Sequence, residues 1–333
     1  MLKVGLAAAT LALLTPGVVR GSAAAELQTL RYGVGEGGGL SRLPLTVGLR
    51  QRFYEREGVS LQPVPRQGKL PMDTVNLLLD ALAAGEVDLV PTQLDFMAVR
   101  AAGGADFVAI AGATVNPVYT LVSRPEVRSF QDLKGKTVAL TLVDDAITLS
   151  MRQLMENHGL KDGDVQTRLI QGSQPRLQCM MSGECAAAPV NQPLDFDLVA
   201  QGYHRLGTSI EVGPLLFTVD TITRPWGRTH KELAVRYVRA SAAILQFISD
   251  PGNKSTVRPI IMELTQANEA TADEILTFYY DPDKHVLARY AELDRAALER
   301  NITLMDKYEK LPKPHPPASQ FVDLSYLTAA GVK

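Results

Sequence analysis

The sequence predicts an α/β fold of two successive α/β units, the first interrupted by the second, with a run of helices closing the chain. Three observations carry this. At about 100 to 200 residues per domain, 333 residues suffice for two cores. Short apolar runs alternate with segments of helical spacing. A glycine stands just past the last turn of most of those segments, where a helix stops.

In order, residues 30–34 read as a strand, 43–57 as a helix stopped by Gly58, and 59–64 as a second strand. Residues 72–84 form a helix on the spacing of Val75, Leu78, Leu79 and Leu82, stopped by Gly85. A strand at 87–90, a helix at 94–102 before Gly103-Gly104 and a strand at 107–113 complete the first unit. The second unit repeats the rhythm, with strands at 118–123, 137–142, 165–170 and 186–190. Between them lie a short turn at 130–133, helices at 146–158 and 174–181, and a helical segment at 196–200 before Gly202. Strand–helix–strand repeats of this kind build a parallel sheet. After a strand at 215–219 the chain is helical at 231–249, 257–264, 270–279 and 294–308. The stretch with Pro312, Pro314, Pro316 and Pro317 admits neither regular helix nor central strand and is expected on the surface.

Composition narrows the function. The chain is 46% hydrophobic and 21% charged with a net charge of −2, so a general basic field for nucleic acid or an anionic membrane is excluded, and any ligand is recognised locally. The first 25 residues follow another pattern: Lys3, an apolar run from Val4 to Leu14, a break at Pro16-Gly17, then Ala23-Ala24-Ala25. This is the layout of a cleavable secretory signal, its apolar run being about 11 residues where a membrane span needs about 20. Removing Lys3 and Arg20 takes the basic count from 34 to 32 against 36 acids, a net −4. An exported protein of the bacterial periplasm is expected.

Three segments place polar residues beside buried strands. The helix end at Ala81–Ala84 runs through Gly85-Glu86-Val87-Asp88 into a strand and then Thr92, Gln93 and Asp95. Asp132-Leu133-Lys134-Gly135-Lys136 feeds the strand at Thr137. Ser182-Gly183-Glu184-Cys185-Ala186 echoes the first and leads to Asn191 and Gln192. On Gly85–Asp88 and Asp132–Lys136, the chain resembles the periplasmic substrate-binding proteins of ABC importers, in the group that binds aliphatic sulfonates, taurine, nitrate or thiamine-precursor pyrimidines. The resemblance spans nearly all of the chain after residue 25. It implies a two-lobed periplasmic-binding-protein (type II) fold with two hinge crossings, near 116–119 and 216–218, and a C-terminal helical extension. Lobe 1 is then 26–116 with 218–333, and lobe 2 is 117–217.

This sequence departs from that family twice. Ala186 stands where the second unit's matching acid is usual, and Thr141-Leu142-Val143-Asp144-Asp145-Ala146 replaces the small hydroxyl and glycine residues of sulfonate binders. Free N–H groups and the dipole make a helix start a good anion site, and two carboxylates there compete with a bound oxyanion.

In open α/β sheets ligands bind beyond the carboxyl ends of the strands. The loops at those ends supply the candidate ligand-binding residues: Gly35, Glu36, Gly37, Gly38, Arg66, Gln67, Thr92, Gln93, Asp95, Asn116, Thr141, Asp144, Asp145 and Asn191. Each competes with a plainer role in capping or solvation. Gly33-Val34-Gly35-Glu36-Gly37-Gly38 also matches a dinucleotide fingerprint, with Arg66 where an NADP-type partner would stand, but glycines equally serve close backbone approach, so a cleft wall is the preferred reading. Of Asp144-Asp145, one acid is expected to cap the helix. Arg66 has two readings of equal weight, pairing with a ligand carboxylate or sulfonate, or lying on the surface. The five histidines are scattered without metal-ligand spacing, and no nucleophile elbow, P-loop or zinc motif occurs. Cys179 and Cys185, six apart in an oxidising compartment, leave a structural disulfide and two free thiols equally open.

These readings lead to a monomeric solute-binding component of an ABC import system. It is expected to need no cofactor, metal or catalytic residue and to deliver a small organic ligand (a sulfonate, a pyrimidine-like compound or an aromatic acid) to a permease in the inner membrane. Phe53, Tyr54 and Phe96 are expected to offer stacking for a ring. The alternatives are an enzyme like the thiamine-pyrimidine synthases and a receptor serving a membrane sensor.

Overall fold

A computed structural model describes residues 27–35, 39–143, 145–161 and 163–332. The proposed signal segment and the candidates Glu36, Gly37, Gly38 and Asp144 lie outside the described residues.

The first part of the chain runs β1 (Gln28–Gly35), α1 (Leu43–Arg50), α2 (Phe53–Arg56), β2 (Val59–Arg66), α3 (Pro71–Ala83), β3 (Val90–Gln93), α4 (Leu94–Ala102) and β4 (Phe107–Thr114). It then enters β5 (Tyr119–Ser123), β6 (Thr137–Leu140), α5 (Ala146–Asn157), β7 (Gln166–Leu169), α6 (Ser173–Met181), β8 (Ala187–Asn191), α7 (Leu194–Ala200) and β9 (His204–Thr208). The return is β10 (Thr218–Thr223), α8 (Arg224–Thr229), α9 (Lys231–Ser249), α10 (Lys254–Thr265), α11 (Glu269–Tyr280), α12 (Arg295–Lys307) and α13 (Ser325–Ala330).

Two layers of the same plan result. Strands β1 and β2 pair in parallel, β10 lies antiparallel between β3 and β4, and a bridge between Tyr32 and Leu89 joins the two sets, giving the order β2-β1-β3-β10-β4. The second sheet has the order β7-β6-β8-β5-β9, with β5 antiparallel to both neighbours. In each sheet the antiparallel strand is the one that arrives from the other. The connecting segments run side by side, with Leu215 N–H donating to Val115 O at 3.3 Å and Phe217 N–H to Thr114 O at 2.9 Å. Asn301 of α12 clamps them, its side chain accepting from Leu216 N at 2.9 Å and donating to Leu216 O at 3.0 Å.

The α/β class follows, and several elements match their local signals closely: α4 and α9 occupy 94–102 and 231–249. The buried face of α9 (Leu233, Tyr237, Ile244, Leu245 and Ile248) covers the first sheet, each such side chain contributing roughly 1.5–3 kcal/mol on burial. Other elements differ. The helix expected at 43–57 is broken at Arg52, whose φ of 55° turns the chain so that Phe53 meets Phe247 and Tyr54 stacks on Tyr237 at 5.9 Å. Those two rings are thus committed to the core, which corrects their assignment to ligand stacking. The strand expected at 215–219 begins at Thr218, because residues 213–217 are spent on the crossing. Strand β9 and helices α8 and α13 are additions that periodicity did not single out. Among the described residues no helix is long and apolar enough to cross a membrane.

Candidate functional site

The amino ends of α4 and α5, which follow β3 and β6, meet between the two sheets. Asp95, in the first turn of α4 and 2% exposed, accepts the Ala146 N–H of α5 on Oδ2 at 2.9 Å. Asp145 caps α5, accepting the Thr148 N–H on Oδ1 at 2.9 Å, while Thr148 Oγ1 accepts the Thr141 N–H at 3.2 Å. A helix start favours such carboxylates because its first N–H groups lack partners and carry partial positive charge. The second oxygen of each, Asp95 Oδ1 and Asp145 Oδ2, is buried without a hydrogen-bond partner. Burial, then the nearby Asp145 charge, pushes the Asp95 carboxyl up to about 6 against the pull of Lys310 and of the Ala146 and Phe96 N–H groups. Burial also raises Asp145, opposed by Thr148, Arg176 and Lys310. Asp95 and Ala146 line a cavity of about 10 Å³ with Leu149, Leu215, Asn301, Leu304 and Met305, a space about the size of one water molecule.

Beside the carboxylates Arg176 is almost wholly buried. Its Nε donates to Pro189 O at 2.7 Å, Nη1 to Thr141 Oγ1 at 3.0 Å and Ile170 O at 3.1 Å, and Nη2 to Ser173 Oγ at 3.2 Å. One side chain therefore holds the carboxyl ends of β6, β7 and β8 in register. Gln192, after β8, is 4% exposed, and both its amide atoms lack partners. A second contact spans the gap, with the Met72 N–H of α3 donating to Gln171 Oε1 at 3.2 Å.

The sequence-derived candidates divide accordingly. Asp95, Thr141 and Asp145 come together at this junction. Gln93 stands at the start of α4 with a buried, unpartnered Oε1, and the neighbouring Thr92 is buried. Asn116 is spent on structure, its Nδ2 donating to Lys284 O at 3.0 Å and His285 O at 3.2 Å. Asn191 is exposed at the end of β8, opposite Tyr119. Arg66 is engaged by Glu86 at 2.5 Å, and Gln67 is exposed beside a shallow groove with Lys69, Asp73 and Asn76. Gly35 ends β1 opposite Arg66. Gly33 is needed for packing, since a Cβ there would fall 2.8 Å from Val90 Cγ1 and 3.1 Å from Leu78 Cδ2. Arg176 escaped notice because an arginine in a short helix carries no sign of burial. Gln192 was visible only as a polar residue after a strand.

The motifs that carried the resemblance prove to be pins of the fold. Asp88 is buried and accepts the Arg31 N–H at 2.8 Å and the Arg31 guanidinium at 2.6 and 3.1 Å. Asp132 accepts from Arg128 N, Ser129 N and Ser129 Oγ, which hold its carboxyl below the usual range, Arg128 N foremost. Cys179 and Cys185 form a disulfide with their Cα atoms 5.2 Å apart, closing the question left open by spacing.

Residues 41–192 match the model of the NMT1/THI5 like family, a span that contains both Gly85–Asp88 and Asp132–Lys136. No curated protein matches the chain. Solved structures share its fold. A putative periplasmic sulfonate-binding protein, SsuA, from Methylobacillus flagellatus superposes with a TM-score of 0.74 at 13% identity, over 92% of this chain and 94% of that one. The periplasmic nitrate-binding protein NrtA from Synechocystis superposes with 0.71 at 13% identity, over 92% and 89%. The desulfurization enzyme DSZB does so with 0.65 at 14% identity, over 91% and 98%. The chain thus has the fold of the periplasmic binding proteins, as the sequence resemblance implies.

Proposed function

We propose that the chain is a solute receptor that closes two lobes, 27–116 with 218–332 and 117–217, on a small organic ligand and delivers it to an ABC permease after export to the periplasm. The observation that carries this reading is the meeting of Asp95 with the start of α5, where loops from both sheets bury polar atoms that have no partner. Such groups cost about 1–3 kcal/mol each when left unpaired, so a ligand that pairs with them favours the closed form. The 10 Å³ cavity is far below the several hundred Å³ of an organic ligand site, so entry requires the rims to part at the paired crossings 113–116 and 213–217.

The thiamine-pyrimidine-synthase alternative calls on cysteine chemistry, and both cysteines here are bonded to each other. A sensor-coupled receptor would use the same closure and differ in the membrane protein that co-purifies with it.

The test is a thermal-shift screen of the mature chain over sulfonates, pyrimidines, aromatic acids and amines, followed by small-angle scattering with each hit. A ligand should raise Tm and leave a compact profile, with an opened population in its absence. Unchanged Tm and scattering across the whole screen, or conversion of a bound compound to product, would overturn the proposal.

A further inference from the structure

We infer that the ligand is an organic cation bearing N–H donors, such as a protonated amine, an amidine or a guanidine; this rests on the receptor reading above and narrows its substrate. The hydrogen-bonding groups at the junction point to this charge. The oxyanion seat that the start of α5 would offer is already filled by the chain itself, Asp95 taking the Ala146 N–H and Asp145 taking the Thr148 N–H. An anionic ligand must displace one carboxylate from the helix and then lie beside both.

Five polar atoms remain unpartnered in the loops that leave β3, β6 and β8. Four are acceptors in place: Gln93 Oε1, Asp95 Oδ1, Asp145 Oδ2 and Gln192 Oε1. One, Gln192 Nε2, is a donor. Three of the four side chains are at least nine-tenths buried, and Asp95 lines the cavity itself. Arg176 does not redress this balance of donors. Four N–H bonds of Arg176 go to Pro189 O, Ile170 O, Thr141 Oγ1 and Ser173 Oγ. Lys310 acts on both carboxylates through its charge. A ligand that matches the remaining set presents several donors and a positive charge, as an ammonium or amidinium group does.

The experiment uses the mature chain and matched probes on one carbon skeleton: benzylamine, benzamidine and benzyltrimethylammonium against benzoate and benzenesulfonate, then agmatine against butanesulfonate. Calorimetry should show at least one amine, amidine or guanidine binding tenfold or more tightly than its anionic counterpart, with the trimethylammonium analogue, which has no N–H, at least tenfold weaker than the amine. Asp95→Asn and Asp145→Asn should each weaken that cation at least tenfold, and circular dichroism and the ligand-free Tm establish that the variants are folded, asparagine being as good a helix cap as aspartate. Binding of the sulfonate or carboxylate members alone overturns the cation assignment and leaves the receptor reading standing, as does cation affinity unchanged in both folded variants. Silence of every probe, with no response to the wider screen, overturns both.

Discussion

The helix–turn–strand segments 78–91 and 176–189 occupy the same place in the two sheets, and their side chains solve the same problem by different means. The equivalence is set by the backbone. Gly85 and Gly183 both adopt positive φ after the helix, and the Asp88 N–H donates to Arg31 O as the Ala186 N–H donates to Thr137 O. In the first sheet the turn is pinned by the Arg31–Asp88 ion pair, in the second by the Cys179–Cys185 disulfide. Where the first packs Leu78 against Gly33, the second buries Arg176; where the crossing strand of the second sheet carries Leu121 opposite Pro189, that of the first carries buried Asp220 opposite Pro91. The fold therefore asks for a fastened turn and a filled interior at these places. Which chemistry meets the need is free to vary, which is why the missing acid at Ala186 is harmless to the architecture.

The largest expected effect comes from making the second segment resemble the first. Arg176→Leu removes hydrogen bonds from a charged donor and strands Pro189 O, Ile170 O and Thr141 Oγ1, so urea unfolding should show a loss of about 3–5 kcal/mol. A change below about 1 kcal/mol would show that these acceptors find other partners, and the two segments would then be interchangeable.

Next in size is a pH effect belonging to the first sheet. Burial pushes Asp220 up to about 7, the hydroxyls of Tyr237 and Ser241 opposing it, while Tyr32 and Tyr54 also face it. Its folded value exceeds the unfolded value near 3.9, so its contribution is complete below about pH 4 and is lost as pH rises towards 7. Unfolding free energies measured at pH 5 and pH 8 should fall by roughly 2–3 kcal/mol more in the native protein than in Asp220→Asn, at 1.36 kcal/mol per pH unit. Parallel pH profiles for the two proteins would contradict the assignment.

The smallest effect compares the two pins directly. Replacing Cys179 and Cys185 by alanine opens a short loop and should cost about 2 kcal/mol. Asp88→Ala, which frees a buried N–H and a half-exposed guanidinium, should cost about 1–2 kcal/mol. If either substitution leaves the denaturation midpoint unmoved, that residue pair is not a fastener.

What the sequence made legible was local. The extent of α4 and α9, the glycine stops after α3, α5 and α6, and the α/β rhythm all depend on neighbours within a turn or two, where spacing and backbone preference decide the outcome. The site was only partly legible for the same reason. Asp95 and Asp145 could be named because both stand where a strand ends and a helix starts. The bond from Ala146 N–H to Asp95 that brings them together could not, since it joins residues 51 apart in sequence across two sheets. Arg66 and Asn116 stood in equally plausible loops, yet Glu86 claims one and the carbonyls of Lys284 and His285 claim the other. The burial of Arg176 was hidden because its four acceptor atoms come from residues 141, 170, 173 and 189, which only the folded sheet gathers around one side chain.

Periodicity and glycine placement, which act over a few residues, set the two-unit α/β plan, the strand-end loops that hold the polar residues and the turns that carry the family resemblance. Folding brings a carboxylate from one sheet onto a helix of the other, joins the two cysteines and leaves several acceptors unpaired in the gap. Those outcomes depend on distances between segments remote along the chain, and hydrogen bonds form or fail within a few tenths of an ångström.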